Sequence, residues 1–239
     1  MNIAIIFAGG TGQRMNTKTK PKQFLELHGK PILIYTLELF QESQAIDGII
    51  VVMLKEWIQY TEELVEKYRI NKVKAIVSGG ETGQASIFCG VKKAYELFPD
   101  DSIVLIHDGV RPLVDDSTIN ECILCVQKNK TAITVSPATE TITLKNPNGE
   151  IGQILPRKDC QIAKAPQCFY LGDIYDAHVK AIADCNMDFI DSASLMQFYG
   201  HKLYSVEGPV ENIKITTPGD FYIFRAISDA RENSQIFGL

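Results

Sequence analysis

Residues 4–24 have the sequence AIIFAGGTGQRMNTKTKPKQF, and this stretch decides the fold that we predict. The apolar run from Asn2 to Ala8 is typical of a parallel strand that is buried on both faces. Gly9, Gly10 and Gly12 follow where such a strand must turn, and glycines let backbone N–H groups approach an anion closely. The order of strand, glycine turn and spaced cations predicts a site that binds a triphosphate and transfers a nucleotidyl group.

Two common phosphate-binding motifs do not fit the spacing of this turn. A P-loop ends in Gly-Lys-Ser/Thr, whereas this sequence continues with Gln13, Arg14 and Met15. The dinucleotide fingerprint needs a small residue where Met15 stands, which disfavours a dehydrogenase or an epimerase that uses a dinucleotide. The longer pattern A-G-G-x-G-x-R-M, followed by Pro21-Lys22-Gln23, is more specific than either motif.

Length and composition favour a compact enzyme. The 239 residues are 45% apolar and can bury a substantial core in one α/β domain, so we expect a single domain over residues 1–239. The formal net charge of -5 disfavours a nucleic-acid-binding surface. Because no apolar stretch is long enough to span a bilayer and the N-terminus enters a strand directly, we expect a cytoplasmic protein without membrane contact.

The cysteines lack the paired spacing of a metal site, so we expect buried, reduced thiols. They are Cys89, Cys122, Cys125, Cys160, Cys168 and Cys185.

Strand-like apolar runs alternate with amphipathic segments, which predicts an α/β, Rossmann-like fold with a mostly parallel sheet and helices on both faces. After the first strand, the predicted strands are 48–54, 73–77, 102–106 and 131–136. The predicted helices are 31–41, 56–68, 84–97, 116–129, 172–183 and 218–231.

A projecting β-hairpin interrupts this alternation at about 138–165, and we call it the arm. Residues 139–144 and 150–155 alternate like strands around Asn146-Pro147-Asn148-Gly149. Such a ribbon has too little apolar material to be stable alone, so we expect it to lie on its own domain or on a partner subunit.

The ordered set of motifs resembles the polyol-phosphate cytidylyltransferases, which activate polyol phosphates with CTP. The resemblance runs from Ile3 to Asp220 and includes the glycine turn, Gly79-Gly80, His107-Asp108-Gly109-Val110-Arg111-Pro112, Thr141, Arg157, Pro166-Gln167 and Asn212-Ile213-Lys214. It implies that an acceptor phosphate attacks the α-phosphorus of CTP and that pyrophosphate leaves, a reaction with a largely electrostatic and positional barrier. It also implies Mg²⁺ on the triphosphate and a homodimer in which the arm completes the partner's active site.

The resemblance assigns catalytic roles to Arg14, Lys22 and Lys214. Arg14 can present a planar fork to phosphate oxygens, and Lys22 offers a compact charge to the α-phosphoryl group from what we expect to be an exposed loop. The alternatives are a solvated or helix-capping side chain for Arg14 and simple surface charge for Lys22. Lys214 is expected on a short strand over residues 212–214, pointing toward the same cleft.

The CTP-binding residues that the resemblance implies lie in two loops. Ala8, Gly9, Gly10 and Gly12 would bind phosphates, while Gly80, Glu81 and Ser86 would hold cytosine and ribose, with an ordinary strand-to-helix turn as the alternative. Related sequences usually carry an arginine in the second loop, where this chain has Thr82-Gly83-Gln84. The sequence therefore leaves open a nucleotide substrate other than CTP, namely another pyrimidine triphosphate.

For the acceptor phosphate, the resemblance assigns Thr141 and Arg157 on the arm, with Arg111 and Lys214 helping from the main domain. Asp108 is expected at a strand end, where it could accept hydrogen bonds from acceptor or ribose hydroxyls. Asp108 could instead bind Mg²⁺, and an ion pair between Asp108 and Arg111 is the structural alternative. His107 is interpreted as structural, because a phosphate nucleophile is already ionised. Asp191 matches an acidic position that orients cations or acceptor hydroxyls.

Two acceptors stay open, D-ribitol 5-phosphate and 2-C-methyl-D-erythritol 4-phosphate. Ala8-Gly9-Gly10, Val110 and Thr216-Thr217 look more like the ribitol enzymes, so we favour the first. A non-catalytic nucleotide-binding scaffold is the hypothesis from another class, and Arg14 and Lys22 argue against it.

Overall fold

The computed structural model describes residues 1–10 and 20–237, and its largest element is a seven-stranded sheet. The strands of the chain are β1 (Asn2–Phe7), β2 (Glu26–Leu27), β3 (Lys30–Pro31), β4 (Gly48–Met53), β5 (Val73–Ser78), β6 (Ile103–Asp108), β7 (Thr131–Pro137), β8 (Thr143–Lys145), β9 (Ile151–Ile154), β10 (Gln161–Tyr170) and β11 (Ser205–Glu207). The large sheet has the order β11-β7-β10-β6-β1-β4-β5, while β2 pairs with β3 and β8 with β9. All neighbours in the large sheet are parallel except β10, which is antiparallel to β6 and β7.

Helices connect most of these strands. They are α1 (Ile32–Glu42), α2 (Ile58–Lys67), α3 (Gly83–Leu97), α4 (Asp116–Asn129), α5 (Leu171–Ala183), α6 (Ser192–Phe198) and α7 (Pro218–Phe237). The predicted α/β fold with a mostly parallel sheet is confirmed. In the described part of the chain, the helices lack the combination of length and apolar character that crossing a bilayer requires.

Both faces of the sheet are buried, as the apolar sequence of β1 predicts. Ala4 and Ile6 belong to a core cluster with residues of α1 and α4, whereas Ile3 and Ile5 belong to a second cluster with residues of α3 and α5. Successive residues of a strand point to opposite faces, so an unbroken apolar run is needed when helices cover both. This arrangement leaves the carboxyl ends of the parallel strands free to carry a site.

The arm is shorter than we predict from the sequence. Residues 161–165 belong to β10, in which Gln161 lies opposite Pro137 of β7, so the arm spans 138–160. The hairpin strands are 143–145 and 151–154, and all of their residues are exposed. Polar residues in 161–167 hide the strand pattern, and its pairing with β7 is a tertiary contact that a local pattern does not report.

Several other segments differ from the prediction. The short α6 and β11 are absent from it, because seven and three residues are too few for a clear periodicity. Helix α7 continues to Phe237 instead of ending at residue 231. Residues 212–214 are not a strand, which corrects the predicted setting of Lys214.

Candidate active site

A cleft of about 280 Å³ opens at the carboxyl edge of the sheet. Its lining comes from the ends of β1 and β6, from residues 163–165 and Gln167 of β10, from the first turns of α3, from the start of α6 and from Lys214. Such an edge is where open α/β sheets bind ligands, because loops from several strands converge there. Asp108, Arg111 and Lys214, which the sequence analysis assigns to the site, all line this cleft.

Asp108 lies between two cations. Its Oδ1 is 2.6 Å from Lys214 Nζ, and its Oδ2 accepts a 2.7 Å hydrogen bond from Arg111 Nε. Burial alone would raise the pKa of Asp108, but the charges of Lys214 and Arg111 outweigh burial and lower it from 3.8 to about 2. The carboxylate is therefore ionised at neutral pH, and the ion pair left open as an alternative is present.

The segment that carries Lys214 is held by hydrogen bonds rather than by a sheet. Arg111 Nη1 donates to Asn212 O at 2.9 Å, and Asn212 Nδ2 donates to Ala165 O at 2.7 Å. The N–H of Ile215 donates to Val110 O at 2.9 Å. These bonds on both sides of Lys214 fix its backbone against β10 and the turn that follows β6, so the lysine reaches Asp108 without belonging to a strand.

Lys22 lies beside the glycine turn and is buried, with only 8% of its surface exposed. It begins a short 3-10 helix (Lys22–Phe24), and a Cβ added to Gly10 would lie 3.9 Å from Lys22 Cε. The adjacent Gln23 donates from Nε2 to Ala8 O at 2.7 Å. The expectation of an exposed loop is therefore wrong, since the packing of Phe24 against Trp57 and the bond of Gln23 draw this segment inward.

Arg14 and Gly12 lie outside the described residues, because the structure describes nothing between residues 10 and 20. Their predicted roles stay predictions.

The second predicted loop meets the glycine turn at the same edge. Ser86 Oγ accepts from Gly80 N–H at 3.1 Å and lies 2.8 Å from Thr82 O, to which it can donate. A Cβ added to Gly9 would lie 3.9 Å from the same Oγ, and one added to Gly79 only 2.8 Å from it. The hydroxyl of Ser86 thus shapes the loop, while Glu81 stands exposed at its rim.

Thr141 and Arg157 are not in the cleft that the described residues of this chain form. Both are exposed on the arm, and Arg157 Nη1 donates to Thr139 O at 3.2 Å. Arg157 lines a separate hollow at the base of the arm. The structure therefore brings the predicted acceptor residues of the main domain together but leaves those of the arm apart.

Residues 2–229 match the family model described as 2-C-methyl-D-erythritol 4-phosphate cytidylyltransferase. The chain belongs to this family. The predicted resemblance is thereby confirmed, and the chain is a cytidylyltransferase.

Three similar proteins illustrate the range of this family. The cytidylyltransferase is 53% identical over 239 residues, the whole of both chains, to ribitol-5-phosphate cytidylyltransferase of Streptococcus agalactiae serotype III. It is 40% identical over 220 residues, 92% of this chain and 93% of that protein, to 2-C-methyl-D-erythritol 4-phosphate cytidylyltransferase of Clostridium novyi. The crystal structure of 4-diphosphocytidyl-2C-methyl-D-erythritol synthase from Anaerococcus prevotii matches with a TM-score of 0.83 at 29% identity, covering 96% of each chain.

Sequence reasoning missed Lys164 in the cleft wall of this cytidylyltransferase and assigned no role to Gln167, although the motif Pro166-Gln167 contains it. Lys164 lies on β10 and donates from Nζ to Val210 O at 2.7 Å and to Pro209 O at 3.2 Å. Gln167 donates from Nε2 to Asp191 Oδ2 at 2.9 Å and accepts from Ala193 N–H at 2.9 Å. The apolar run after Pro166 could have indicated this strand, but the predicted arm already included its first half.

Asp191 has structural partners in addition to its place in the cleft wall. Its Oδ1 accepts from the N–H of Ser194 at 2.9 Å and so caps α6. Since Gln167 bonds the other oxygen, this carboxylate fixes the start of α6 against β10.

His107 supports the turn after β6. Its ring is buried, which lowers its pKa to about 4, and Nε2 lies 3.0 Å from Arg111 O. A neutral ring protonated at Nε2 donates to this carbonyl, so His107 holds the backbone of Arg111 in place.

Proposed function

We propose that this cytidylyltransferase transfers the cytidylyl group of CTP to D-ribitol 5-phosphate, giving CDP-ribitol and pyrophosphate. The observation that carries the choice of acceptor is the 53% identity, over both entire chains, to the ribitol-5-phosphate cytidylyltransferase of S. agalactiae. The cleft supports the reaction class, because Arg111, Lys214 and Lys164 line one hollow at the edge where β1 ends and the glycine turn begins.

In the proposed reaction, an oxygen of the acceptor phosphate forms a bond to the α-phosphorus of CTP. The bond from that phosphorus to the oxygen bridging to the β-phosphate breaks, and pyrophosphate leaves with the electron pair. Lys22, beside Gly10, stabilises the charge that develops at the α-phosphoryl group, and Arg14 is proposed to act with it. Lys214 and Arg111 attract the acceptor phosphate and so offset its electrostatic repulsion from the phosphates of CTP.

No base is required, because a phosphate monoester is ionised at neutral pH. The setting of His107 is consistent with this mechanism, since its ring hydrogen-bonds to Arg111 O and burial lowers its pKa to about 4. Asp108 orients the two cations and retains lone pairs that can accept a hydrogen bond from a ribose or acceptor hydroxyl.

Magnesium is proposed to enter on the phosphates of CTP rather than on Asp108. Both oxygens of Asp108 face cations at 2.6 and 2.7 Å, and a divalent ion at the same carboxylate would be repelled by both. Within the described residues, no group of three histidine, cysteine or acidic side chains is arranged to hold a metal. The ion would neutralise triphosphate charge and keep most of its waters.

The arm is proposed to cross to a second copy, where Thr141 and Arg157 bind the acceptor phosphate in the partner's cleft. The apolar side chains of Leu144, Ile151 and Ile154 are 49%, 68% and 63% exposed, which supports a covered position in a dimer.

We further propose that residues 1–239 form one domain, with the arm as its extension. The cytoplasmic location stays a prediction from the sequence.

The second candidate acceptor is 2-C-methyl-D-erythritol 4-phosphate. It is favoured by the description of the family model that matches residues 2–229 and by the similarity to the synthase from Anaerococcus prevotii, which is named for a methylerythritol product.

Pyrophosphate release from CTP and Mg²⁺ with each polyol phosphate separates the two candidates. Release with ribitol 5-phosphate at a kcat/KM well above that for methylerythritol phosphate supports the proposal, and the reverse preference selects the second acceptor. Absence of release with either acceptor would favour the scaffold hypothesis. Replacing CTP by UTP in the same assay tests base selection, for which the second loop lacks the expected arginine.

A further inference from the structure

Lys164 occupies a position in the cleft wall that a regular strand would not give it. Ala163, Lys164 and Ala165 are consecutive in β10, yet all three line the cleft. Successive side chains of a regular strand alternate between the two faces. The register with β7 shifts between Ala163 and Gln167, and an irregularity of this kind re-aims side chains next to active sites.

The ammonium group of Lys164 is nearly buried and has carbonyl partners. Only 8% of the residue is exposed, and Nζ donates to Val210 O and Pro209 O. In the part of the chain that the structure describes, no carboxylate oxygen lies within 4.0 Å of this Nζ. Since an ammonium has three donors, one N–H is left for a ligand in the cleft. A buried cation without a close counter-ion is costly, and a bound anion removes that cost.

The order of the sheet indicates which substrate Lys164 meets. The glycine turn follows β1 and the Gly80 loop follows β5, whereas β10 lies on the opposite side of β6. Asp108, at the end of β6, therefore separates the proposed CTP side of the cleft from the β10 side. A ligand that contacts Lys164 enters from the acceptor side.

The charges of the wall favour an anionic ligand on that side. Arg111, Lys164 and Lys214 supply three positive charges, and Asp108 is paired with two of these cations. Asp191 accepts hydrogen bonds from α6 and Gln167, but these neutral donors leave its negative charge in place, so the cations of the wall outnumber its carboxylates by three to two. Burial lowers the pKa of Lys164, and the nearby charge of Arg111 lowers it further, while Glu211 opposes them. A phosphate dianion beside Lys164 would relieve the repulsion between the two cations.

We propose that Lys164 is a ligand of the acceptor's phosphate, acting with Arg111 and Lys214. This inference rests on the proposed function for the identity of the acceptor. It differs from a purely structural role, in which Lys164 would only tie residues 209–210 to β10.

Three full-length variants test the assignment. Lys164→Gln keeps N–H donors for the two carbonyls but removes the charge. Lys164→Arg keeps both the donors and the charge. Lys128→Gln is the matched control, because Lys128 is an exposed lysine on α4 outside the cleft. A charge-assisted hydrogen bond accounts for about a 10- to 100-fold change in affinity, so Lys164→Gln should raise the KM for ribitol 5-phosphate by about that factor. The KM for CTP should stay within about twofold, and Lys164→Arg should recover most of the loss.

A binding measurement separates this inference from the proposed function. Ribitol 5-phosphate is titrated by calorimetry into each protein saturated with CDP, a nucleotide that has only two phosphates and so cannot release pyrophosphate. Weaker binding to Lys164→Gln than to wild type and Lys128→Gln supports the inference even if no pyrophosphate is released in the activity assay, in which case only the proposed function fails. Equal binding to all of the proteins, or an equal rise in KM for CTP and acceptor, would overturn the assignment and leave Lys164 with the structural role.

Discussion

Replacing Asp108 by Asn should destabilise the folded protein by an amount that the structure sets. The carboxylate of Asp108 forms short ion pairs with Lys214 and Arg111, and the Asp108 side chain is only 15% exposed. Lowering its pKa from 3.8 to about 2 corresponds to about 2 kcal/mol of stabilisation at neutral pH. For a chain of this length, that loss is a decrease of about 4–8 °C in Tm.

The pH dependence of this difference has a definite sign. The folded pKa lies below the unfolded value, so the stabilisation is complete above about pH 5 and is lost as the pH falls toward 2. Near pH 3 it should be roughly half of its value at pH 7. Urea unfolding at fixed protein concentration, followed by the fluorescence of Trp57, the single tryptophan of the chain, measures the difference at each pH at which wild type is folded.

Asp101→Asn provides the control, because Asp101 is exposed and lies outside the cleft. Its unfolding free energy should match wild type within about 0.5 kcal/mol. A similarly small effect of Asp108→Asn at pH 7 would refute the electrostatic argument, as would a difference that stays constant from pH 7 to pH 3.

Other substitutions test the remaining roles. Lys22→Met keeps the buried stem but removes the charge, and it should lower kcat by about 100-fold or more with an unchanged circular dichroism spectrum; a loss below about tenfold would demote Lys22. Arg157→Ala should raise the KM for the polyol phosphate more than that for CTP, and equal effects would contradict its acceptor role. Ile154→Lys on the exposed arm should convert a dimer into a less active monomer in sedimentation velocity, and an active dimer would argue against the arm as the interface.

Local patterns predicted the main elements, because a sheet that is buried on both faces requires apolar runs that can be recognised in the sequence. The apolar run of β1 and the periodicity of α4, which spans Asp116–Asn129 as predicted, needed no tertiary information. β10 was missed because its pairing with β6 and β7 joins distant parts of the chain. The burial of Lys22 was missed for the same reason, since the packing of Phe24 on Trp57 determines it.

The candidate site was predictable in its residue types but only in part in its internal pairing. Motifs identified Asp108, Arg111 and Lys214, yet the sequence does not reveal that one carboxylate holds both cations at hydrogen-bonding distance. No sequence pattern indicated Lys164, because an irregularity in β10, rather than strand alternation, turns its side chain toward the cleft.

The arm begins and ends on strands that are already neighbours, with Pro137 of β7 opposite Gln161 of β10. A segment inserted between paired strands can lengthen, shorten or change its sequence at little cost to the sheet below it. The fold of this chain therefore tolerates changes in the hairpin that leave the pairing of β7 with β10 in place. An enzyme built in this way can acquire a new surface for a second copy or for a different acceptor while its nucleotide-binding edge stays intact.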